Sequence, residues 1–149
     1  MTAQLSPHFS LEELTFSQAA LRKGIDNTPS APDVDNLRRL CTTVLEPLRD
    51  LLAVPLHVDS GYRSAILNTL VGGAVTSAHM EGRAADIVPI GMSIHDAFAK
   101  IHAANLPTDQ TITECNAWIH VAIADEGQPT RRLFMTATGT PGHWVYNYV

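Results

Sequence analysis

The chain has 149 residues, 45% of them hydrophobic and 17% charged, which fits one folded domain over residues 1–149 and excludes a disordered chain. Ten Lys and Arg against fifteen Asp and Glu leave a net charge of -5, which opposes phosphate backbones, and no basic stripe interleaved with aromatics points to nucleic acid. No apolar run approaches the roughly 20 residues of a membrane helix, and residues 1–9 lack the basic and apolar regions of a secretory signal; the expectation is a monomer made in the cytoplasm, with no membrane partner.

Ser10 and Glu13 have the spacing of a capping box, which predicts a helix from Leu11 with Gly24 as its stop. After a turn-rich connector over residues 27–32, Pro32 opens a long helix in which Val34, Leu37, Leu40, Cys41, Val44, Leu45 and Leu48 recur at helical spacing. Pro47 falls inside that pattern and predicts a kink or break near Glu46, because proline removes a helix hydrogen bond and crowds the preceding turn. Residues 56–58 read as a strand ending at 59–61. Ser64 then caps a helix through Leu70, closed by Gly72 and Gly73. Residues 74–83 form a loop and 84–88 a strand. Ser93 and Asp96 open a helix whose Ile94, Phe98 and Ile101 share an apolar face, ending at Asn105-Leu106-Pro107.

Residues 110–114 and 118–123 are strand-like runs separated by Cys115-Asn116-Ala117, a hairpin signature, and residues 132–137 can add a strand. The fold class is α+β: a small, mainly antiparallel sheet with helices packed on one side. Cys41 and Cys115 sit in apolar or strand-like settings, where a buried free thiol is the commoner state and a disulfide the rarer one.

A catalytic zinc site needs three His or carboxylate ligands and an open fourth position. His95 and His102 are seven residues apart on a helix, roughly 10 Å along its axis and too far for one ion. His8, His57 and His143 read as surface or hydrogen-bonded histidines. His79 differs: it precedes Gly82, small residues and Asp86. In that strand Ala84, Asp86 and Val88 face one way and Ala85 and Ile87 the other, and an Asp among small residues calls for a cation or a hydrogen-bond partner. An exposed Asp on an edge strand is the plain alternative. If Glu114 stands opposite Trp118, then Trp118, His120 and Ala122 share its face, and His120 is its diagonal neighbour at roughly 7 Å, a distance suited to a general base beside a metal. An exposed or strand-satisfied Glu is the competing reading.

Ser60-Gly61-Tyr62-Arg63-Ser64, Leu67-Asn68, the run from Ser77 through His79, Gly82 and Ala84 to Asp86-Ile87, and Trp118-Ile119-His120-Val121 together resemble the zinc D-alanyl-D-alanine carboxypeptidase family. That family includes phage endolysins and vancomycin-resistance dipeptidases, and the hedgehog signalling domain shares its fold. The resemblance runs roughly from His8 to Ile123 and implies a hedgehog-like fold, Zn2+ held by His79, Asp86 and His120, and the peptidoglycan stem peptide as substrate. It further implies that Arg63 polarises the scissile carbonyl or holds a substrate carboxylate, with a surface ion pair as its ordinary alternative. Ser77 is matched to a substrate or supporting hydrogen bonder, with a loop-stabilising serine as the alternative, and Trp118 to a substrate contact.

Many members carry the catalytic acid three residues before the last histidine, which here is Ala117; Glu114 is the nearest acid upstream. The implied activity is metal-assisted hydrolysis of a peptidoglycan peptide bond, with Glu114 as base and Arg63 steadying the oxyanion. An endolysin-type endopeptidase comes first, a carboxypeptidase acting on terminal D-alanine second, and a noncatalytic zinc-stabilised virion or peptidoglycan-binding module is the rival of another class. Lacking a signal peptide, the enzyme is expected to reach the cell wall by phage release or virion delivery.

Overall fold

The computed structural model describes residues 3–149; Met1 and Thr2, the start of the segment read for a targeting signal, lie outside the described residues. A two-stranded antiparallel ribbon, β1 (Gln4–Ser6) and β2 (Phe9–Ser10), leads into α1 (Leu11–Thr15) and α2 (Gln18–Lys23). The Ser10–Glu13 capping box forms as expected, and Gly24 ends α2 at φ 63°. The single helix expected from Leu11 to Gly24 is broken in two, because Phe16 is extended and the Ser17 hydroxyl starts a new helix by accepting from the Ala20 N–H.

Helix α3 (Ala31–Leu40) begins with its own capping box and runs through a π-helical turn, Cys41–Leu45, into α4 (Glu46–Leu52). Pro47 therefore does not stop the helix. The Glu46 N–H reaches back to the Cys41 carbonyl, so the extra residue of the π turn absorbs the missing N–H while Leu45 and Glu46 stay in right-handed helical geometry.

The main sheet holds β3 (Leu56–Ser60), β4 (Ala84–Pro89), β5 (Gln110–Glu114), β6 (Trp118–Ala122), β7 (Leu133–Thr140) and β8 (His143–Tyr148) in the order β3-β4-β6-β5-β7-β8. Every pairing is antiparallel except β5 with β7. Strand β7 overruns the expected 132–137, and β8, which begins at His143, is a strand that the sequence reading does not assign. Pro141 and Gly142 turn the chain back, and Trp144, Tyr146 and Tyr148 alternate as a strand should.

Two further helices complete the chain, α5 (Ala65–Leu70) and α6 (Ile94–Ala103). One face of the sheet is the core: Ala85 and Ile87 of β4 and Ile119 and Val121 of β6 pack with Leu37, Leu40, Val44 and Leu48 of the long helix and Ala97, Phe98 and Ile101 of α6. Ile112, Met135 and Ala137 form a second cluster on the opposite face. The α+β class and the mainly antiparallel sheet agree with the sequence. Among the described residues no helix is long and apolar enough to cross a membrane.

Candidate metal centre

Period-two alternation decides what the free face carries. With Ala85 and Ile87 committed to the core, Asp86 must project the other way, and the same holds for His120 between Ile119 and Val121. Strands β4 and β6 place Asp86 directly opposite His120. His79 comes from the preceding loop, where a 3-10 turn, Ala78–Glu81, is capped by the Ser77 hydroxyl accepting from the His79 N–H at 3.3 Å. The His79 carbonyl accepts from the Arg63 N–H at 3.0 Å, anchoring this turn to the segment after β3.

One ligand atom from each of His79, Asp86 and His120 lies within 4.8 Å of the others, and all three residues are buried. His120 Nδ1 is 3.0 Å and His79 Nε2 3.3 Å from Asp86 Oδ1, and the two nitrogens are 3.2 Å apart. The Gly61 carbonyl, 2.7 Å from His79 Nδ1, can only accept, so Nδ1 carries a proton and Nε2 points a lone pair at its neighbours. Burial, the dominant influence on His79, pushes its pKa below the ordinary value against the pull of Asp86, and so favours this neutral ring. Burial alone would raise the Asp86 pKa, but facing His79 and His120 outweigh it and hold the carboxyl well below the usual carboxylate range. An ionised oxygen and a nitrogen lone pair thus converge with the one proton His120 Nδ1 can offer, whereas a divalent cation satisfies all three donors. The donor set fits zinc, which takes nitrogen and carboxylate ligands together.

The other carboxylate oxygen is held in place. Arg63 Nη2 donates to Asp86 Oδ2 at 3.0 Å, Nε to the Ser60 hydroxyl at 3.0 Å, and Nη1 to Asn68 Oδ1 at 3.4 Å. A register shift between Val58 and Ser60 sets Ser60 opposite Asp86, a bulge that aims the hydroxyl at this guanidinium. Two glycines leave room for the assembly. A Cβ at Gly61 would strike the Leu14 carbonyl, and one at Gly73 would strike Asn68 Oδ1.

Glu114 pairs with Trp118 across the hairpin and shares its face with His120, which pairs with Ile112. The turn between them has Cys115 at φ 50° and Asn116 at φ 52°, closed by the Ala117 N–H donating to the Glu114 carbonyl at 2.9 Å. Trp118 Nε1 donates to Glu114 Oε2 at 2.8 Å, which fixes one carboxylate oxygen and leaves Oε1 for other partners. Burial first, and then the charge of Asp86, raise the Glu114 pKa above its ordinary value.

Of the residues singled out from the sequence, His79, Asp86, His120, Arg63, Glu114 and Trp118 come together at this face. The surface ion pair that was the alternative for Arg63 does not occur: its partner is Asp86, and its side chain is only 15% exposed. Ser77 caps the 3-10 turn, the loop-stabilising alternative. Sequence reasoning missed the Gly61 carbonyl, Ser60 and Asn68 as the groups that orient His79 and Arg63, although each lies inside the motif. His8, His57 and His95 are surface residues next to Glu46, Asp59 and Asp96. Both cysteines are free; Cys41 is buried, whereas Cys115 is exposed because it occupies the turn and not a strand.

No curated protein matches this chain. The sequence profile of the family described as Peptidase M15 matches residues 7–122, a span from the ribbon before α1 through β6 that contains all three metal-directed residues, Arg63 and Glu114. The chain therefore belongs to the Peptidase M15 family and is a metallopeptidase.

Proposed function

We propose that residues 1–149 form a single zinc-dependent peptidase domain that cleaves a peptide bond in the stem peptides of bacterial peptidoglycan, as an endolysin-type endopeptidase with a hedgehog-like fold. The observation that carries this reading is the shared face of Asp86, His120 and Glu114, with His79 brought to it by the 3-10 turn. His79, through Nε2, and His120, through Nδ1, would hold the metal with Asp86 Oδ1. Zinc, when bound, supplies the Lewis acidity that activates water and polarises a carbonyl.

The remaining work belongs to the chain. Glu114, its Oε2 fixed by Trp118, takes a proton at Oε1 from the attacking water. As the new C–O bond forms and the C–N bond breaks, it returns that proton to the departing amine. Arg63 holds Asp86 in its ligand orientation. Three of its five N–H groups are engaged, and the two left over steady the oxygen of the tetrahedral carbon. Ser77 and Trp118 border the substrate. The protein acts as a monomer at the cell wall, reached by phage release or virion delivery, and its net charge of -5 disfavours nucleic acid.

The test compares wild-type protein with Glu114→Ala on purified peptidoglycan while zinc content is measured. The expected result is full zinc occupancy in both, with release of new amino groups by wild type alone. New amino groups without free D-alanine identify endopeptidase action; free D-alanine identifies the carboxypeptidase. Equal activity in both removes Glu114 from the scheme, and activity in neither leaves a zinc-stabilised binding module.

A further inference from the structure

Strands β7 and β8 lie beyond the family-matched residues 7–122, yet they extend the same face of the sheet that carries the metal centre. Two register rows cross it. Asp86, His120, Ile112, Met135 and Tyr148 are successive partners from β4 to β8. Two residues along each strand, Trp118, Glu114, Ala137 and Tyr146 are successive partners from β6 to β8. Paired residues share a face, so Tyr146 stands beside Glu114 with only the Ala137 methyl between them.

Adjacent strands are about 4.8 Å apart, which puts the Tyr146 and Glu114 backbones roughly 10 Å from each other. A tyrosine leaning across an alanine covers most of that gap. Ala137 is 1% exposed despite its single methyl, and Trp144, packed on the Ile112–Met135–Ala137 cluster, flanks the same crossing. Tyr146 itself stays 48% exposed, and among the described residues its hydroxyl makes no hydrogen bond within the chain. Burial first, and then the charge of Glu114, raise the pKa of that phenol, which keeps it a donor at neutral pH.

The geometry points to Tyr146 as a substrate-contacting residue of the metal centre, its phenol donating a hydrogen bond to a backbone oxygen of the bound peptide on the β8 side of Glu114. This assignment rests on the peptidase reading of the site and adds a wall that the family-matched segment does not contain. Trp144 and Tyr148, on the same face of β8, border the path of the chain leading away from the scissile bond.

The test uses zinc-loaded full-length protein, Tyr146→Phe and Tyr146→Ala, with two readouts: hydrolysis of purified peptidoglycan, and calorimetric binding of a dipeptide phosphinate, whose tetrahedral phosphorus mimics the reacting carbon. Tyr146→Phe should keep zinc content and Tm while weakening phosphinate binding and kcat/KM about tenfold, the effect of one lost hydrogen bond of roughly 1.4 kcal/mol. Tyr146→Ala should weaken both at least as much. Binding and turnover by Tyr146→Phe equal to wild type overturn the assignment. Wild-type protein that binds the phosphinate in a Tyr146-dependent way but leaves peptidoglycan intact upholds Tyr146 and removes the peptidoglycan substrate. Wild-type protein that neither binds nor cleaves overturns both readings.

Discussion

Replacing Asp86 with Asn separates the two tasks that its carboxylate performs. The substitution keeps shape and volume, so no cavity forms, but it removes the charge facing Arg63 at 3.0 Å, where the two side chains are 15% and 5% exposed. Removing one partner of a buried ion pair costs about 3–5 kcal/mol. The bonds of Arg63 to Ser60 and Asn68 and its partial exposure put the cost at the lower end, about 3 kcal/mol. For a chain of this length each kcal/mol moves Tm by about 2–4 °C, so metal-free Asp86→Asn should melt roughly 6–12 °C below metal-free wild type. Metal binding adds a separate increment. At free zinc one hundred times Kd, binding stabilises the folded state by about 2.7 kcal/mol, a rise of roughly 5–11 °C for wild type. The variant, lacking an anionic ligand, should show no such rise. Thermal melts by circular dichroism of both proteins, in chelator and in buffered zinc, measure all four states. A zinc-dependent rise in Asp86→Asn equal to that of wild type would refute Asp86 as a ligand, and equal metal-free melting temperatures would refute the stabilising role of the Arg63 pair.

Two further outcomes follow from the same structure. The raised pKa of Glu114 means that its neutral form is favoured in the folded state. Its contribution to stability is therefore present below the unfolded carboxylate pKa and is lost as pH rises through the folded one. In chelator, Glu114→Gln, which can still accept from Trp118, should raise Tm over wild type at pH 8 and give no gain at pH 4; an equal gain at both values would show that ionisation is not the cause. The Cys41 thiol, pushed up to about 12 by burial first and by nearby Glu46 and Glu13, should resist alkylation in the native protein, while exposed Cys115 reacts. Mass spectrometry after brief iodoacetamide treatment at pH 8 should find one label natively and two after denaturation.

The parts of the fold that could be read from the sequence are those set by local period and local hydrogen bonding. The capping box at Ser10, the apolar stripe of the long helix and the core-facing parity of Ile119 and Val121 all follow from spacings of two to four residues. The break at Phe16 and the π turn before Pro47 did not, because each depends on how the backbone shares out a missing or redirected hydrogen bond. Strand β8 goes unassigned for another reason: nothing after residue 137 is given an element, although a proline-glycine pair followed by alternating aromatics describes a hairpin. The contacts that orient the site were the least legible. Arg63 and Asp86 are joined by a bond across 23 positions of sequence, and the Gly61 carbonyl on His79 leaves no trace in residue type.

The same parity argument bears on why Glu114, and not an acid at the position of Ala117, stands on the face of Asp86 and His120. Trp118 and His120 occupy the metal face of β6, so residues one and three positions before His120 have the opposite parity. Ala117 lies in the turn, exposed, its N–H closing the loop onto the Glu114 carbonyl. With this hairpin length, a side chain at 117 is carried at the exposed tip beyond the Glu114–Trp118 pair. Position 114, directly opposite Trp118, has the parity of the metal face, and the tryptophan indole it pairs with is the group that orients its carboxylate. An acid placed at 117 in a Glu114→Ala background would stand at the exposed tip and not on the face shared by Asp86 and His120, whereas position 114 of β5 lies on that face.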